Sequence, residues 1–279
     1  MSDLVTLNVS DYIADVRLNR PDKYNAISPD MFSALVATGE ELMERSDVRV
    51  VVLSGNGPGF CAGLDMNSFQ GMADRSEQQA PKREVTEAVV KSQLDRNEDR
   101  PENPAQRAAY IWKKLPMPVI AALHGVAYGG GCQIALGADI RFADPAAKMS
   151  VLEIKWGLIP DMSLTQTLRD LVRMDVAKEL AFTGKVLSAT EAQALGLVTH
   201  VTENPLEAAF ELAKSIAGKS PDAVRFGKKL FETSWHADER TGLQLEAKLQ
   251  TTLIGSPNQV EAIKANFEKR DPVFNDASL

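Results

Sequence analysis

Short apolar runs dominate the first half of the chain and predict strands. Residues 4–9 (LVTLNV) and 12–18 (YIADVRL) have strand composition, and the Ser-Asp dipeptide between them predicts a β-hairpin. The runs 48–55 (VRVVVLSG) and 118–125 (PVIAALHG) are almost continuously apolar and end in glycine. Such runs are typical of strands covered on both faces. The chain therefore opens with β structure and continues into a buried, largely parallel sheet.

Helical periodicity appears in the segments between and after these strands. Residues 28–45 begin with a Ser-Pro pair, which suits an N-cap and a first helical position, and then carry apolar residues at helical spacing. Residues 105–115 are also helical in pattern. Residues 187–201 contain a capping box from Ser188 to Glu191, followed by a glycine stop and a further strand. Strands that alternate with helices predict an α/β fold with crossover connections.

The chain is predicted to have two parts and one insertion. Residues 1–204 form the α/β core, whereas residues 205–279 contain only helical patterns, each starting at a cap or a proline. We expect this C-terminal region to be a smaller appendage that serves oligomerisation. Residues 67–105 are polar, charged and poor in large apolar side chains. This insertion either lies over a pocket or is a solvated loop without a role.

Composition and charge narrow the class of protein. The 279 residues are 44% hydrophobic and 25% charged, which is globular composition. A formal net charge of -7 argues against a broad nucleic-acid or anionic-membrane surface. Cys61 and Cys132 form no CxxC pair and have no histidine cluster nearby, so neither a disulfide framework nor a metal site is indicated. With neither a signal peptide nor an apolar run of about 18 residues, a cytoplasmic location is predicted.

Two glycine-rich turns follow the two buried strands. They are residues 54–66 (SGNGPGFCAGLDM) and residues 124–139 (HGVAYGGGCQIALGAD). Residues without bulky side chains let backbone N–H groups converge on one point, and two converging amides make an oxyanion hole suited to a thioester enolate. Each turn alone fits a phosphate site or tight packing equally well. Neither has the GxGxxG or GK[ST] pattern, which argues against a nucleotide-binding fold.

Three ordered motifs carry a resemblance to a known family. The segments 60–66 (FCAGLDM), 124–144 (HGVAYGGGCQIALGADIRFAD) and 149–160 (MSVLEIKWGLIP) closely resemble the crotonase family, also called the enoyl-CoA hydratase/isomerase family. The resemblance extends from residues 18–28 (LNRPDKYNAIS) to the helical tail. It implies an α/β fold, the crotonase-like spiral of ββα units with a C-terminal helical region. It also implies acyl-CoA substrates, no cofactor beyond the coenzyme A of the substrate, and a homotrimer or dimer of trimers.

The resemblance assigns binding roles to particular residues. The two oxyanion-hole N–H groups fall on Leu64 and Gly130. The groove for the coenzyme A part of the substrate is assigned to Lys23, Ala26, Ala62, Asp65 and Gly129. Lys228 and Lys229, in the helical tail, either meet the phosphates of coenzyme A or lie on a solvated helix face.

The acid-base residues depart from the family's hydratases. Those enzymes resemble one another in having two glutamates, whereas this chain has Gln133 at the first position and Glu153 at the second. An amide cannot exchange a proton usefully near neutral pH, although it can orient a water or a carbonyl. Asp161 follows Glu153 by eight residues. It is either a second carboxylate of the site or the N-cap of the following helix.

Three functions remain open from the sequence. Double-bond isomerisation in an enoyl-CoA, with proton transfer alpha to the bound thioester, is slightly favoured by the combination of Gln133 with Glu153. Hydration of a 2-enoyl-CoA is the alternative, with Asp161 or Gln133 holding the water. A non-catalytic acyl-CoA binder, which retains the pocket but has lost one carboxylate at Gln133, is the second alternative. Glu153 itself is either the catalytic carboxylate or a residue that merely pairs with Lys155 on one face of a strand.

Overall fold

The computed structural model describes residues 3–65 and 100–278. Of the predicted polar insertion, residues 67–105, the part up to residue 99 lies outside the described residues. Residues 100–105 of the insertion are described, and the next helix begins within them at Pro104, with Asn103 as its N-cap. The Asn103 side chain and Gln106 complete a capping box there.

The described residues contain nine strands, which form two sheets. They are β1 (Val5–Ser10), β2 (Ile13–Leu18), β3 (Val50–Gly55), β4 (Val119–Leu123), β5 (Val126–Tyr128), β6 (Ile140–Ala143), β7 (Lys148–Ser150), β8 (Leu187–Ser188) and β9 (His200–Val201). The larger sheet has the order β1-β2-β3-β4-β6-β9, and the smaller has the order β5-β7-β8. In the larger sheet β1 and β2 are antiparallel, and every other neighbouring pair is parallel. The predicted buried parallel sheet is confirmed.

Ten α-helices lie in the same described ranges. They are α1 (Pro29–Met43), α2 (Pro104–Lys114), α3 (Gly130–Leu136), α4 (Leu164–Thr167), α5 (Met174–Thr183), α6 (Ala189–Leu195), α7 (Pro205–Ala217), α8 (Pro221–Ser234), α9 (Glu239–Leu253) and α10 (Pro257–Glu268). Consecutive strands such as β4 and β5 enter different sheets before a helix follows. This alternation is the predicted spiral of ββα units.

The caps that the sequence predicted are formed. Ser28 accepts a hydrogen bond from the N–H of Met31 at the start of α1, and Ser188 with Glu191 makes a reciprocal box at α6. The hairpin turn differs by one residue from the prediction, because Asp11 and Tyr12 adopt φ of 49° and 64°. The Arg49 guanidinium stacks 3.7 Å from the Tyr12 ring centroid and helps to hold that turn.

The two faces of the larger sheet pack against different helices. Val51 and Leu53 of β3 join the core beneath α1 and α2, whereas Val50 and Val52 face α7. Alternation with period two follows from strand geometry. On α7 the residues that meet the sheet are Ala209, Ala213 and Ala217. These small side chains, four residues apart, let the helix approach closely, so the first helix of the C-terminal region is a layer of the core.

The remaining tail helices are tied to the core by buried polar contacts. Lys228 on α8 is 8% exposed at its side chain and lies 2.8 Å from the Asp139 carboxylate. The solvated position predicted for Lys228 is therefore wrong, because Asp139 engages its ammonium group. Lys229 is exposed, as predicted, and contact of either lysine with the phosphates of coenzyme A remains a prediction. No helix in the described part of the chain is long and apolar enough to cross a membrane.

Candidate active site

The two glycine-rich turns lie side by side. Cys61 of the first turn pairs with β5 as a parallel bridge: its N–H donates to the Val126 carbonyl at 2.9 Å, and its carbonyl accepts from the Tyr128 N–H at 3.0 Å. Each turn follows a strand of the larger sheet, β3 and β4, and those strands are neighbours. Adjacent strands thus deliver both turns to the same edge of the sheet.

Leu64 lies next to the second turn. Ile27 donates to the Gly63 carbonyl at 2.8 Å and accepts from the Asp65 N–H at 3.1 Å, so the N–H of Leu64 takes no part in this bridge. Gly63 has φ of 88°, and a Cβ there would lie 2.7 Å from the Tyr128 carbonyl oxygen and 3.6 Å from the Gly130 nitrogen. The backbone on either side of the predicted oxyanion hole is therefore in close contact.

Each glycine of the triplet has its own reason. Gly129 adopts φ of 51° and ψ of -120°, a conformation that a side chain disfavours, at the N-cap of α3. A Cβ on Gly130 would lie 2.8 Å from Ile27 Cδ1, and one on Gly131 would lie 2.4 Å from the Cys61 carbonyl oxygen. Close approach explains the run of glycines, and the first N–H groups of α3 have no intrahelical acceptor.

Glu153 and Gln133 form the central side-chain contact of the site. Glu153 begins a 3₁₀ turn (Glu153–Trp156) after β7, and its Oε1 accepts a hydrogen bond of 2.7 Å from Nε2 of Gln133. A Cβ on Gly129 would lie 3.3 Å from that same Oε1. The pairing of Glu153 with Lys155 on a strand is wrong, because the segment is a turn and Lys155 lies over the Trp156 ring.

Burial raises the pKa of Glu153 above its ordinary value. Desolvation is the largest cause, and the negative charge of Asp161 adds to it. Nearby backbone N–H groups and the Gln133 amide oppose the shift without cancelling it. The Oε2 atom of Glu153 is buried without a hydrogen-bond partner among residues 3–65 and 100–278. A carboxyl group with a raised pKa is suited to accept and return a proton as a general base and acid.

Asp161 lies at the exposed side of the same site. Desolvation raises its pKa as well. The N-cap prediction for Asp161 is wrong, because Ser163 occupies the cap of α4. The next residue, Met162, donates its N–H to Oε1 of Gln133 at 2.9 Å. Asp161 is thus brought beside Glu153 by a loop that Gln133 holds.

Four of the residues predicted to line the coenzyme A groove belong to one loop and the turn that it contacts. Lys23 is exposed at the end of a 3₁₀ turn (Pro21–Lys23), Ala26 is almost buried, and Ala62 is partly exposed. Asp65 is 7% exposed and lies 2.5 Å from the Arg20 guanidinium. The Asp65 carboxylate therefore joins this loop to the first glycine-rich turn.

Asn25 is a structural centre of the site that the sequence analysis did not single out. It is fully buried with φ of 55°, and its Nδ2 donates to the carbonyls of Gly59 and Phe60 at 2.9 and 3.1 Å. Its Oδ1 accepts the N–H of Arg20 at 2.7 Å. Asparagine tolerates positive φ better than other non-glycine residues, which is the signal that its position in the 18–28 motif offered.

The two cysteines are packing residues. Both are buried, and burial raises the pKa of the Cys61 thiol to about 12 and that of Cys132 in the same direction. Neither thiol is therefore a nucleophile at neutral pH. Within the described ranges, no group of three or more histidine, cysteine, aspartate or glutamate side chains is arranged to hold a metal ion.

Comparison with known proteins agrees with this geometry. The family model for enoyl-CoA hydratase/isomerase matches residues 8–277. The Bacillus subtilis protein YngF, named as an enoyl-CoA hydratase/isomerase, is 34% identical over 98% of this chain and 99% of its own. A peroxisomal Delta(3,5)-Delta(2,4)-dienoyl-CoA isomerase of Arabidopsis thaliana is 30% identical over 98% of this chain and 96% of its own.

A solved structure extends the agreement to the fold. The crystal structure of enoyl-CoA hydratase from Bacillus anthracis superimposes with a TM-score of 0.82 at 31% identity, covering 97% of this chain and 98% of that one. The fold and these matches define an enzyme of the crotonase class. The chain belongs to the enoyl-CoA hydratase/isomerase family.

Proposed function

We propose that this enzyme moves a double bond in an enoyl-CoA thioester, with Glu153 as the base. The observation that carries the proposal is the contact between Glu153 and Gln133. Gln133 has no exposed surface, and its two polar ends are engaged by Glu153 and by the Met162 N–H. The group buried against the carboxylate is thus an amide that neither donates a proton nor reaches a water in the pocket.

The proton transfer needs one carboxylate and one oxyanion hole. The Glu153 carboxylate removes a proton from C2 of a 3-enoyl thioester, and the electrons of that C–H bond move into a dienolate. The negative charge develops on the thioester oxygen, where the N–H groups of Leu64 and Gly130 stabilise it. The carboxyl group of Glu153 then returns the proton to C4, which leaves the double bond between C2 and C3. No atom is gained or lost, so no water is required.

The remaining predicted residues serve substrate binding in this proposal. Lys23 is exposed where the phosphate groups of coenzyme A can meet it, and Ala26, Ala62 and Gly129 offer small side chains or none beside the thioester. Asp65 acts indirectly, because its carboxylate is engaged by Arg20. No cofactor other than the substrate's own coenzyme A takes part.

Hydration of a 2-enoyl-CoA is the second candidate, and Asp161 favours it. Two carboxylates with raised pKa values, one partly buried and one exposed, can divide the work of activating a water and protonating C2. In that case Asp161 holds the water that Gln133 cannot reach. The two candidates therefore differ in their requirement for Asp161.

A paired assay tests the proposal. The purified enzyme receives a 2-enoyl-CoA and a 3-enoyl-CoA of equal chain length, and water addition and double-bond migration are followed by mass and absorbance. Migration that survives Asp161→Asn but not Glu153→Gln supports the isomerase. Hydration that is lost in both variants supports the second candidate. Coenzyme A thioester binding without either reaction or proton exchange, over several chain lengths, contradicts both.

Self-association as a homotrimer or dimer of trimers is also part of the proposal. Large apolar side chains are exposed after the 3₁₀ turn of the site, on α5 and in the C-terminal region, and they include Ile159, Met174, Phe182, Trp235, Phe267 and Val273. Such exposure is typical of surfaces that become buried on assembly. Light scattering on the purified enzyme measures the assembly directly. A cytoplasmic location and a place in fatty acid metabolism remain predictions.

A further inference from the structure

Gln133 holds two partners whose chemistry fixes its orientation. The Met162 N–H can only donate, so the oxygen of the Gln133 amide must face it, at 2.9 Å. The NH₂ group must then face Glu153, whose carboxylate accepts at 2.7 Å. Because no part of Gln133 is exposed, both hydrogen bonds are shielded from competing water. The Gln133 amide is therefore held in a single orientation, and its NH₂ group fixes the position of Glu153 Oε1.

Both partners of Gln133 also lie beside the glycine triplet that contains Gly130, the glycine of the predicted oxyanion hole. A Cβ on Gly130 would lie 2.9 Å from Met162 Sδ, and a Cβ on Gly129 would lie 3.3 Å from Glu153 Oε1. Gln133 itself stands on the first turn of α3, and its N–H donates to the Gly129 carbonyl at 3.0 Å. The base, the oxyanion amide and the loop that carries Asp161 thus meet around one buried side chain.

We propose that Gln133 is a positioning residue that sets the distance between the Glu153 carboxylate and the Gly130 N–H, and so couples the base to the oxyanion hole. This inference rests on the proposed role of Glu153 as the base. Gln133 touches no substrate. It acts by keeping Glu153 in reach of the carbon whose proton it removes while the Gly130 amide binds the oxygen of the same thioester. A displacement of about 1 Å between such groups can cost about 100-fold in rate.

Removal of the Gln133 amide changes the pH dependence of kcat, which a loss of packing alone does not. The hydrogen bond from Gln133 lowers the pKa of Glu153, so a variant without it has that pKa raised further. Asp161 and Cys132 are the other side-chain titratable groups that interact with Glu153 in the described ranges, and burial keeps the Cys132 thiol neutral. Because Glu153 is the base in the proposed mechanism and must be ionised to act, the acid limb of the pH profile for kcat reports its ionisation.

The first variant is Gln133→Met, which keeps the volume and removes both hydrogen bonds. We expect kcat for double-bond migration to fall about 10-fold to 100-fold, KM to change little, and the acid limb to move to higher pH. Gln193→Met is the matched control, because Gln193 is exposed on α6. Unchanged kcat with an unshifted acid limb overturns the proposal, and so does an equal loss at every pH with an unshifted limb.

The second variant, Gln133→Glu, keeps the test valid if the methionine variant does not fold. Its carboxyl can still accept the Met162 N–H, but its other oxygen meets Glu153, so the pair is active only while it shares one proton. We expect a bell-shaped pH profile for migration, with a loss of activity at high pH, where both carboxyl groups are ionised, that the wild-type enzyme does not show. A wild-type profile overturns the inference. Full activity of Glu153→Gln instead overturns the base itself, which separates failure of the proposed function from failure of this inference.

Discussion

The two sides of the site use different kinds of chemical group. On the oxyanion side the functional groups are backbone N–H groups, held by buried glycines and by the bridge between Ile27 and Leu64. On the carboxylate side they are side chains, carried by a 3₁₀ turn and an irregular loop. A backbone amide is present whatever residue stands there, whereas a carboxylate is lost in one substitution. In the proposed mechanism the amide side therefore serves the thioester chemistry, and the carboxylate side decides which reaction follows.

We expect the largest effect from a substitution that removes the only carboxylate that the proposed isomerisation requires. Glu153→Gln keeps the size of the side chain and a partner for Gln133, but it cannot accept the proton. We expect kcat to fall by about 100-fold to 10,000-fold, the usual contribution of a general base. The measurement is double-bond migration of a 3-enoyl-CoA, with Glu179→Gln on the exposed face of α5 as control. Activity within a few-fold of wild type would place the base elsewhere.

We expect the second-largest effect from a substitution that displaces the two glycine-rich turns of the oxyanion side and leaves every functional side chain unchanged. Gly63→Ala forces a Cβ to within 2.7 Å of the Tyr128 carbonyl at a φ of 88°, which pushes the two turns apart. We expect a loss of about 100-fold to 1,000-fold in kcat, as for removal of one oxyanion-hole donor.

A matched control separates this displacement from backbone strain. Gly255 has φ of 80° and open space around it, so Gly255→Ala carries the strain without the contact. Thermal unfolding of both variants shows how much stability each loses. If the two alanine variants lose the same activity for the same loss of stability, the close approach of the turns is not what catalysis needs.

We expect a smaller effect from a substitution that separates the role of Asp161 from that of Glu153 on the carboxylate side. Asp161→Asn removes a negative charge that raises the pKa of Glu153. Glu153 must be ionised to act as the base, so the acid limb of kcat should move to lower pH, with less than about a 10-fold change in the plateau for migration. A pH profile of the variant beside wild type measures the shift. A limb that moves to higher pH would mean that the two carboxylates do not repel each other.

The smallest effect concerns stability. The pKa of Glu153 is raised by folding, so the folded chain keeps this proton to a higher pH than the unfolded chain. The free energy of unfolding therefore falls as pH rises from the ordinary glutamate range, about 4.3, through the raised value. We expect Glu153→Gln to be more stable than wild type by about 1 kcal/mol at pH 8, a typical gain from relieving a strained site.

Urea unfolding of wild type and variant measures this difference. At pH 4 both chains carry a neutral group at this position, so the two free energies of unfolding should converge. A difference of the same size at both pH values would assign the gain to packing and not to ionisation.

Local patterns predicted the elements well, because their causes are local. The N-cap of α1, the capping box of α6 and the buried strands β3 and β4 follow from residues within a few positions of one another. Predictions failed where a distant partner decided the outcome. The side chain of Lys228 is largely shielded from solvent, and its ammonium group contacts Asp139, which lies 89 residues away in sequence. Asp161 does not cap α4, because the chain turns through Ser163 with φ of 67°.

By itself, the sequence determined the class of this protein, its apolar periodicity, and the two glycine-rich turns whose backbone had to come close to something. Only the tertiary structure decided what each polar side chain of the site faces. Gln133 and Glu153 are 20 residues apart, and their contact exists because α3 and the turn after β7 pack together. Desolvation, and with it the raised pKa of Glu153, is a property of surroundings assembled from several segments, so no local pattern encodes it.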